Sequence, residues 1–142
     1  MGVCLVLVSC FDKGDCLFTN TNLVKVNFMD INSRLQPREV AFDSLFLPDE
    51  QAFLPGGDTI VSVVLITNPT KTETKYVFQY AERSDTLVLG YSTQTIVLSP
   101  DCGSYNFQSD LQVLHSTFGE GRVVVTNPRL LTSVTVNIEI FF

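Results

Sequence analysis

The sequence predicts an all-β protein built as an antiparallel β-sandwich, and three observations support this prediction. The β-branched run 61–67 ends abruptly at Asn68-Pro69, and proline cannot continue a sheet ladder because it has no backbone N–H. A second alternating run, 74–80, follows closely, as expected for a strand, a tight corner and a returning strand. Turn signals recur about every ten residues elsewhere, which is typical of a sandwich and not of βα units.

The N-terminal part of the chain is predicted to be an added hairpin. The apolar stretch 3–11 and the alternating stretch 16–29 flank a turn at Asp12-Lys13-Gly14-Asp15. Residues 30–38 are predicted to form a loop, and 48–58 to be turn-rich because this segment contains Pro48, Pro55 and two glycines. We therefore expect one domain over 1–142, with an extra hairpin at 1–30 and a sandwich core at 40–142.

The remaining strands are predicted where β-branched or aromatic residues alternate with polar ones. A turn with proline at its first central position, at 99–103, and a glycine-containing turn at 117–121 separate the later strands. Asn127-Pro128 ends one strand as Asn68-Pro69 ends another, and we predict a structural role for both pairs. About seven to nine strands are expected in all. The strands after residue 38 are predicted at 39–47, 59–67, 74–82, 87–91, 94–98, 104–115, 122–126 and 133–141.

Composition and charge narrow the classes of function. Hydrophobic residues make up 45% of the 142 residues and charged residues 17%, so the chain can bury a large core or use apolar surface in assembly. The formal net charge is −6, and the nine lysines and arginines are scattered. An acidic chain with no basic stripe is not expected to bind nucleic acid or anionic membrane surfaces. No apolar stretch is long enough to insert into a membrane.

The four cysteines leave two interpretations open. Cys4 and Cys10 would lie on one strand about 20 Å apart, too far to bridge, whereas Cys10 and Cys16 flank a turn and could pair. Reduced core thiols in a cytoplasmic protein are the expectation. At the N-terminus, Leu7-Val8-Ser9-Cys10 matches a lipoprotein cleavage box, but the preceding stretch is short, so a first strand is predicted in place of a secretory signal or acylation site.

The residues that could carry chemistry do not form a recognisable catalytic or metal-binding pattern. His115 is the single histidine, and no nucleophile elbow accompanies it. Cys102 has no cationic neighbour in sequence that would lower its thiol pKa. Asp12 and Asp15 are too few for a calcium loop, and Pro55-Gly56-Gly57-Asp58 lacks the lysine and helix of a phosphate loop. We therefore predict that the protein is not an enzyme and uses no metal and no cofactor.

Three motifs carry a family resemblance. They are Leu54-Pro55-Gly56-Gly57 before a strand, the corner Leu65-Ile66-Thr67-Asn68-Pro69-Thr70, and Leu98-Ser99-Pro100-Asp101-Cys102-Gly103. With the strand Tyr76-Val77-Phe78, they make residues 40–142 resemble the immunoglobulin-like domains of the major sperm protein and VAMP-associated protein superfamily. The resemblance implies an immunoglobulin-like sandwich that binds proteins and can be an accessory domain of a larger signalling protein. VAMP-associated proteins bind acidic peptides through a basic groove, but segment 81–89 is mixed in charge, so that site is not transferred.

The leading functional hypothesis is a non-catalytic protein–protein interaction module in the cytoplasm, which binds a partner or itself through a sheet edge or face. No small-molecule substrate is expected. The alternative is a structural assembly protein, such as a viral capsid or cement component. Terminal strands often lie outermost, so the predicted edges are 3–10 and 134–141. The candidate interaction residues on the second edge are Val134, Val136, Ile138 and Ile140.

Overall fold

The computed structural model describes residues 22–49, 52–130 and 135–142, and every regular element in these ranges is a β-strand. The prediction of an all-β protein is confirmed. In chain order the strands are β1 (Leu23–Met29), β2 (Val40–Ala41), β3 (Ser44–Leu47), β4 (Ala52–Pro55), β5 (Thr59–Ile60), β6 (Ser62–Ile66), β7 (Glu73–Gln79), β8 (Ser84–Ser99), β9 (Gly103–Ser116), β10 (Val123–Val125) and β11 (Ile138–Phe141).

The strands form two larger sheets and one short pair. Sheet A has the strand order β10-β11-β1-β6, sheet B is the pair β2-β5, and sheet C has the order β4-β3-β7-β8-β9. Neighbouring strands are antiparallel except β1 and β11, which run parallel with Val26 opposite Ile138. Sheet A therefore joins strands from the beginning and the end of the described chain.

The hydrophobic core contains residues from both sheets A and C, and aromatic rings form much of it. The ring of Phe28, on β1, lies 5.2 Å from that of Phe42, and Phe42 lies 5.3 Å from Phe78, on β7. Tilted ring pairs at this separation add stabilisation beyond the burial of their area. Along β1 the inward residues Val24, Val26 and Phe28 are fully buried, as the alternation of a pleated strand requires. The shared core of sheets A and C is consistent with the β-sandwich that the sequence predicts, although the pair β1–β11 is parallel and not antiparallel.

Strand β1 lies in the interior of sheet A, between β11 and β6. The predicted extra hairpin at 1–30 is therefore wrong for residues 23–29, which belong to the sandwich itself. The alternation of this segment indicated a strand, but it carried no information about which strands would flank it. The rest of the predicted hairpin lies outside the described residues, including the proposed edge at 3–10 and the cysteines Cys4, Cys10 and Cys16.

Strands β8 and β9 form a long hairpin whose outer half extends past β7. The two strands predicted at 87–91 and 94–98 are one strand of 16 residues. Strand β7 pairs with β8 over residues 84–90, whereas β9 pairs with β8 as far as Ser99 opposite Gly103. We call residues 92–109 of this hairpin the arm. The register shifts between Gly90 and Ser92, and Asp110 has a φ of 56°, so a β-bulge lies at the base of the arm.

The two Asn-Pro pairs are built alike. Asn68 Oδ1 accepts a hydrogen bond from the Thr70 N–H at 2.8 Å, and Asn127 Oδ1 accepts one from the Arg129 N–H at 3.0 Å. In each case an asparagine side chain bonds the backbone two residues on, which is the Asx turn that redirects a chain. Strands β6 and β10 end shortly before these asparagines. Both pairs therefore lie in turns that follow a strand.

Candidate functional site: the open edge of sheet A

Strand β6 is an edge of sheet A, with β1 on one side and no paired strand on the other within the described ranges. The Phe28 N–H donates to the Val61 carbonyl at 2.8 Å, and the Thr67 N–H donates to the Asn22 carbonyl at 2.8 Å. In an antiparallel pair, bonded and non-bonded positions alternate, so the odd-numbered residues of this segment bond to β1. The even-numbered ones direct their N–H and C=O away from β1, toward the open edge. These outward-directed residues are Ser62, Val64 and Ile66.

The outer face of sheet A is apolar beside this edge. Val64 and Ile66 are 48% and 53% exposed. Leu23 of β1 lies opposite Ile66 and is 36% exposed, while Lys25 lies opposite Val64. We call Leu23, Val64 and Ile66 the edge patch. Contiguous exposed apolar side chains of this kind mark surfaces that interact with other macromolecules.

The edge strand also lacks the features that usually prevent strand addition. Edge strands of monomeric proteins are commonly blunted by lysine, by proline or by an inward-facing charge, because unpaired N–H and C=O groups accept another chain. Segment 59–70 contains no charged residue, and Pro69 lies beyond the end of β6. Within residues 22–49, 52–130 and 135–142, nothing pairs with the outer edge of β6, so its backbone is open there to a further strand.

Buried polar side chains fix the end of β6 against β8 and β9. The fully buried Gln108 contacts the Thr67 hydroxyl through Oε1 and donates from Nε2 to the Asn68 carbonyl at 3.2 Å. The Tyr91 hydroxyl donates to the same carbonyl at 2.9 Å and lies 2.7 Å from Thr74 Oγ1. Hydrogen bonds are strong in such a low-dielectric setting and impose one arrangement. This corner network holds the end of the edge strand at the base of the arm.

The interaction edge predicted at 134–141 is wrong where it can be examined. Strand β11 lies between β10 and β1, and both Ile138 and Ile140 are fully buried. The Val136 carbonyl accepts a hydrogen bond from Thr126 Oγ1 at 3.0 Å, and Val134 lies outside the described residues. The expectation failed because the last strand of the described chain enters the sheet beside the first one, where both of its edges are paired.

A second polar cluster lies near the turn between β7 and β8. Arg83 Nη2 is 3.4 Å from Asp85 Oδ2, and its guanidinium lies 4.9 Å from the centre of the Tyr80 ring. The Thr117 hydroxyl donates to Asp85 Oδ1 at 3.0 Å. Burial, and then the carboxylate of Asp85, raise the pKa of Tyr80 above its ordinary value of 10.0. A phenol held protonated in this way is a poor base or nucleophile at neutral pH.

The other candidate residues lie apart from the edge. His115 is exposed on β9, opposite Val88. Cys102 is disulfide-bonded, which overturns the expectation of a reduced thiol at this position. Within residues 22–49, 52–130 and 135–142 no three His, Cys, Asp or Glu side chains are placed to hold a metal ion. Asp12 and Asp15 lie outside these ranges.

Comparison with known proteins gives no assignment, since no protein-family model, curated protein or solved structure matches the chain. Across the described part of the chain, no helix has the length and apolarity needed to cross a bilayer. The fold and the site thus define an all-β protein in which an uncharged strand edge and an exposed apolar patch lie side by side.

Proposed function

We propose that the protein is a non-catalytic protein–protein interaction module that associates with a second copy of itself through the edge of β6. The observation that supports this proposal is the coincidence of outward-directed backbone groups on β6 with the edge patch. A strand added to such an edge gains main-chain hydrogen bonds from the backbone and apolar contacts from the side chains. Strand addition would remove both features from water at once.

A two-fold axis through Val64 fits this edge. When two β6 strands pair antiparallel about Val64, Ser62 of one copy lies opposite Ile66 of the other, so each outward-directed residue faces an outward-directed residue. Such an interface is isologous and closes as a dimer. The Ile66 carbonyl already accepts a hydrogen bond from the Tyr76 hydroxyl at 2.8 Å, but a carbonyl oxygen has a second lone pair. Because segment 59–70 is uncharged, no like charges meet across the axis.

Light scattering after size exclusion, over a concentration series, tests the proposal. We expect a mass of twice the 15.8 kDa chain at high concentration. Val64→Pro should be monomeric, because the Val64 N–H faces away from β1, and proline is tolerated on an edge where its missing N–H would face outward. Circular dichroism of this variant checks that the sandwich remains folded.

A matched pair of charge variants locates the interface. Val64→Lys places two lysines beside each other at the axis, where like charges on paired strands are destabilising, and should be monomeric. Val124→Lys adds the same charge on β10, at the far side of sheet A, and should leave the dimer intact. A wild-type monomer at all concentrations would refute self-association. Large ordered assemblies that persist in Val64→Pro would favour the alternative of a structural assembly protein.

The remaining expectations from the sequence stay predictions. They include the resemblance to the major sperm protein and VAMP-associated protein superfamily, and the absence of catalysis, cofactors, small-molecule substrates and nucleic-acid partners. A cytoplasmic location was predicted together with reduced thiols. The disulfide at Cys102 instead supports an oxidising compartment, because disulfides rarely persist in the cytoplasm.

A further inference from the structure

Pairing of two β6 strands about Val64 places the edge patches of both copies side by side on one face of the dimer. Residues at paired positions have their side chains on the same face of a sheet, and Leu23 lies opposite Ile66 within each copy. Strand pairing covers these side chains along the flank that faces the partner strand. Because side chains stand roughly perpendicular to a sheet, their ends still project from its outer face. We call the two edge patches of one dimer the joined patch.

The joined patch has the shape of a diagonal band. Ser62 of one copy lies opposite Ile66 of the other, so the two copies of Leu23 are separated by three strand spacings and by the four positions from Ser62 to Ile66. At about 4.8 Å per strand spacing and about 3.3 Å per residue, the band is about 20 Å long. One copy presents only half of it, so the band exists only in the dimer.

Positive charge flanks this band on both sides. Lys25 lies opposite Val64, two positions along β1 from Leu23. The two-fold axis therefore places one Lys25 on each side of the joined patch. Across the part of the chain that the structure describes, no carboxylate forms an ion pair with Lys25, and Glu139 of β11 lies opposite Asn27, outside the band. The apolar band thus has a basic border on a chain whose formal net charge is −6.

We infer that the joined patch binds one amphipathic helix of a partner protein, which has an apolar stripe over about 13 residues and acidic side chains on both sides of that stripe. The inference rests on the proposed dimer. A band about 20 Å long matches about 13 helical residues at 1.5 Å per residue. A further strand cannot be added here, because the edges of both β6 strands are paired with each other in the dimer. A helix satisfies its own backbone hydrogen bonds and needs only side-chain contacts from the sheet.

The charges disfavour a second dimer as the occupant. Two dimers stacked on their joined patches would gather four Lys25 ammonium groups, two from each dimer, around a band that holds no carboxylate. Like charges brought together at an interface without counter-charges weaken it. Glutamate or aspartate beside the stripe of a helix would instead pair with each lysine. Apolar contact then provides affinity, and the two lysines select an acidic partner.

Anisotropy titrations of the purified dimer with two fluorescent helical peptides test this inference. Both peptides have about 13 residues and a leucine stripe; one has glutamates on both sides of the stripe, and the other has lysines there. A covalent staple on the polar side keeps each peptide helical, because short helices are marginal alone. We expect saturation at one peptide per dimer and about 10-fold tighter binding of the glutamate peptide. No saturable binding of that peptide below about 1 mM would overturn the inference.

Reversing the charge at Lys25 tests the basic border. Lys25→Glu should remain a dimer, because Lys25 lies on β1 and not on the paired edge. This variant should prefer the lysine peptide over the glutamate peptide, again by about 10-fold. An unchanged preference for the glutamate peptide would show that Lys25 does not contact the helix, and would contradict the inferred site.

A matched pair of apolar variants tests the band itself. Leu23 and Val124 are 36% and 38% exposed on the same face of sheet A, but Val124 lies on β10, outside the band. Leu23→Ser should weaken binding of the glutamate peptide about 10-fold or more, whereas Val124→Ser should leave it unchanged. Both should remain dimers. Equal losses in the two variants, or a wild-type tetramer that Leu23→Ser abolishes, would overturn the inference.

The dimer can fail independently of the helix site. A wild-type monomer at all concentrations would refute the proposed dimer and, with it, the joined patch. A wild-type dimer that binds neither peptide would refute only the helix site. Val64→Pro, which separates the two halves of the band, should bind the glutamate peptide at least about 10-fold more weakly than the wild type. Equal binding by this variant would show that one copy suffices, which contradicts a joined site.

Discussion

Replacing Tyr91 by phenylalanine is expected to weaken the corner network without creating a cavity. Tyr91 is 4% exposed, and its hydroxyl donates to the Asn68 carbonyl at 2.9 Å, accepts from the Asn68 N–H at 3.1 Å and lies 2.7 Å from Thr74 Oγ1. Phenylalanine retains the buried ring, so the change in the free energy of unfolding reports the hydroxyl contacts and not the packing.

The expected loss of unfolding free energy depends on which hydrogen bonds the neighbouring groups keep. After the substitution the Asn68 carbonyl still accepts from Gln108 at 3.2 Å, and the Asn68 N–H still donates to Thr74 Oγ1 at 3.1 Å. No backbone group is left without a partner, so the cost is that of hydrogen bonds lost from a buried site, about 1–3 kcal/mol. For a domain of this size each kcal/mol lowers Tm by about 3–4 °C.

Urea unfolding followed by circular dichroism measures this loss. The m-value should stay constant, because the same surface is exposed on unfolding, and Tyr105→Phe, on the partly exposed arm, should change the unfolding free energy by less than about 0.5 kcal/mol. Thr74→Val removes the other hydroxyl of the pair, so the double variant should show a coupling of at least about 0.5 kcal/mol. A loss below about 0.5 kcal/mol for Tyr91→Phe, or additive effects with Thr74→Val, would refute the reasoning.

Three more predictions concern stability. Gly56→Ala should lower the free energy of unfolding by about 3 kcal/mol or more in thermal unfolding, because a Cβ there would collide with the backbone carbonyls of Phe42 and Asp43. The control Gly103→Ala should lower it by only about 1–2 kcal/mol, because Gly103 has a φ of 71° but open space around it. Equal losses in the two variants would contradict this account. Tyr80 has a raised pKa in the folded state, so wild-type stability should be retained below the ordinary tyrosine pKa of 10.0 and fall as pH rises above it, where the unfolded chain can ionise. Unfolding free energies measured on both sides of that pH should fall less steeply in Tyr80→Phe, and identical slopes would rule out a contribution from this phenol. Asn137→Ala should cost about 2–4 kcal/mol in urea unfolding, because the side chain bonds the Lys25 N–H at 3.0 Å and the Asn127 and Arg129 carbonyls at 3.1 and 2.8 Å; a loss near zero would show that water replaces all three bonds.

The sequence was informative about strands and turns and uninformative about strand order. Alternation in β1, β7 and β11 predicted extended structure because the pleat alone sets that period. The same alternation cannot show which strands are neighbours, so β11 was expected at an edge and lies inside sheet A. The edge was missed because β6 is apolar on both faces, a pattern that indicates an interior strand. Nothing in the sequence of Val64 or Ile66 shows that their outer side remains uncovered.

The local chemistry of the corners was more predictable than the contacts between distant residues. Asparagine followed by proline defines a turn through its own side chain and ring, so Asn68-Pro69 and Asn127-Pro128 could be located from neighbouring residues alone. The partners of the first corner, Gln108 and Tyr91, lie far along the chain and were not anticipated. The disulfide at Cys102 was missed for the same reason, because cysteine spacing does not determine connectivity.

The parallel pairing of β1 with β11 has a consequence for the order of events during synthesis. The Lys25 N–H bonds a side chain 112 positions later in the sequence, and β1 is flanked on that side by β11 alone. As the chain emerges from the ribosome, β1 appears early but cannot complete its hydrogen bonds until Ile138–Phe141 has been made. During that interval β1 and β6 expose unpaired backbone N–H and C=O groups. These groups can pair with the wrong strand. We expect slow folding dominated by this long-range closure.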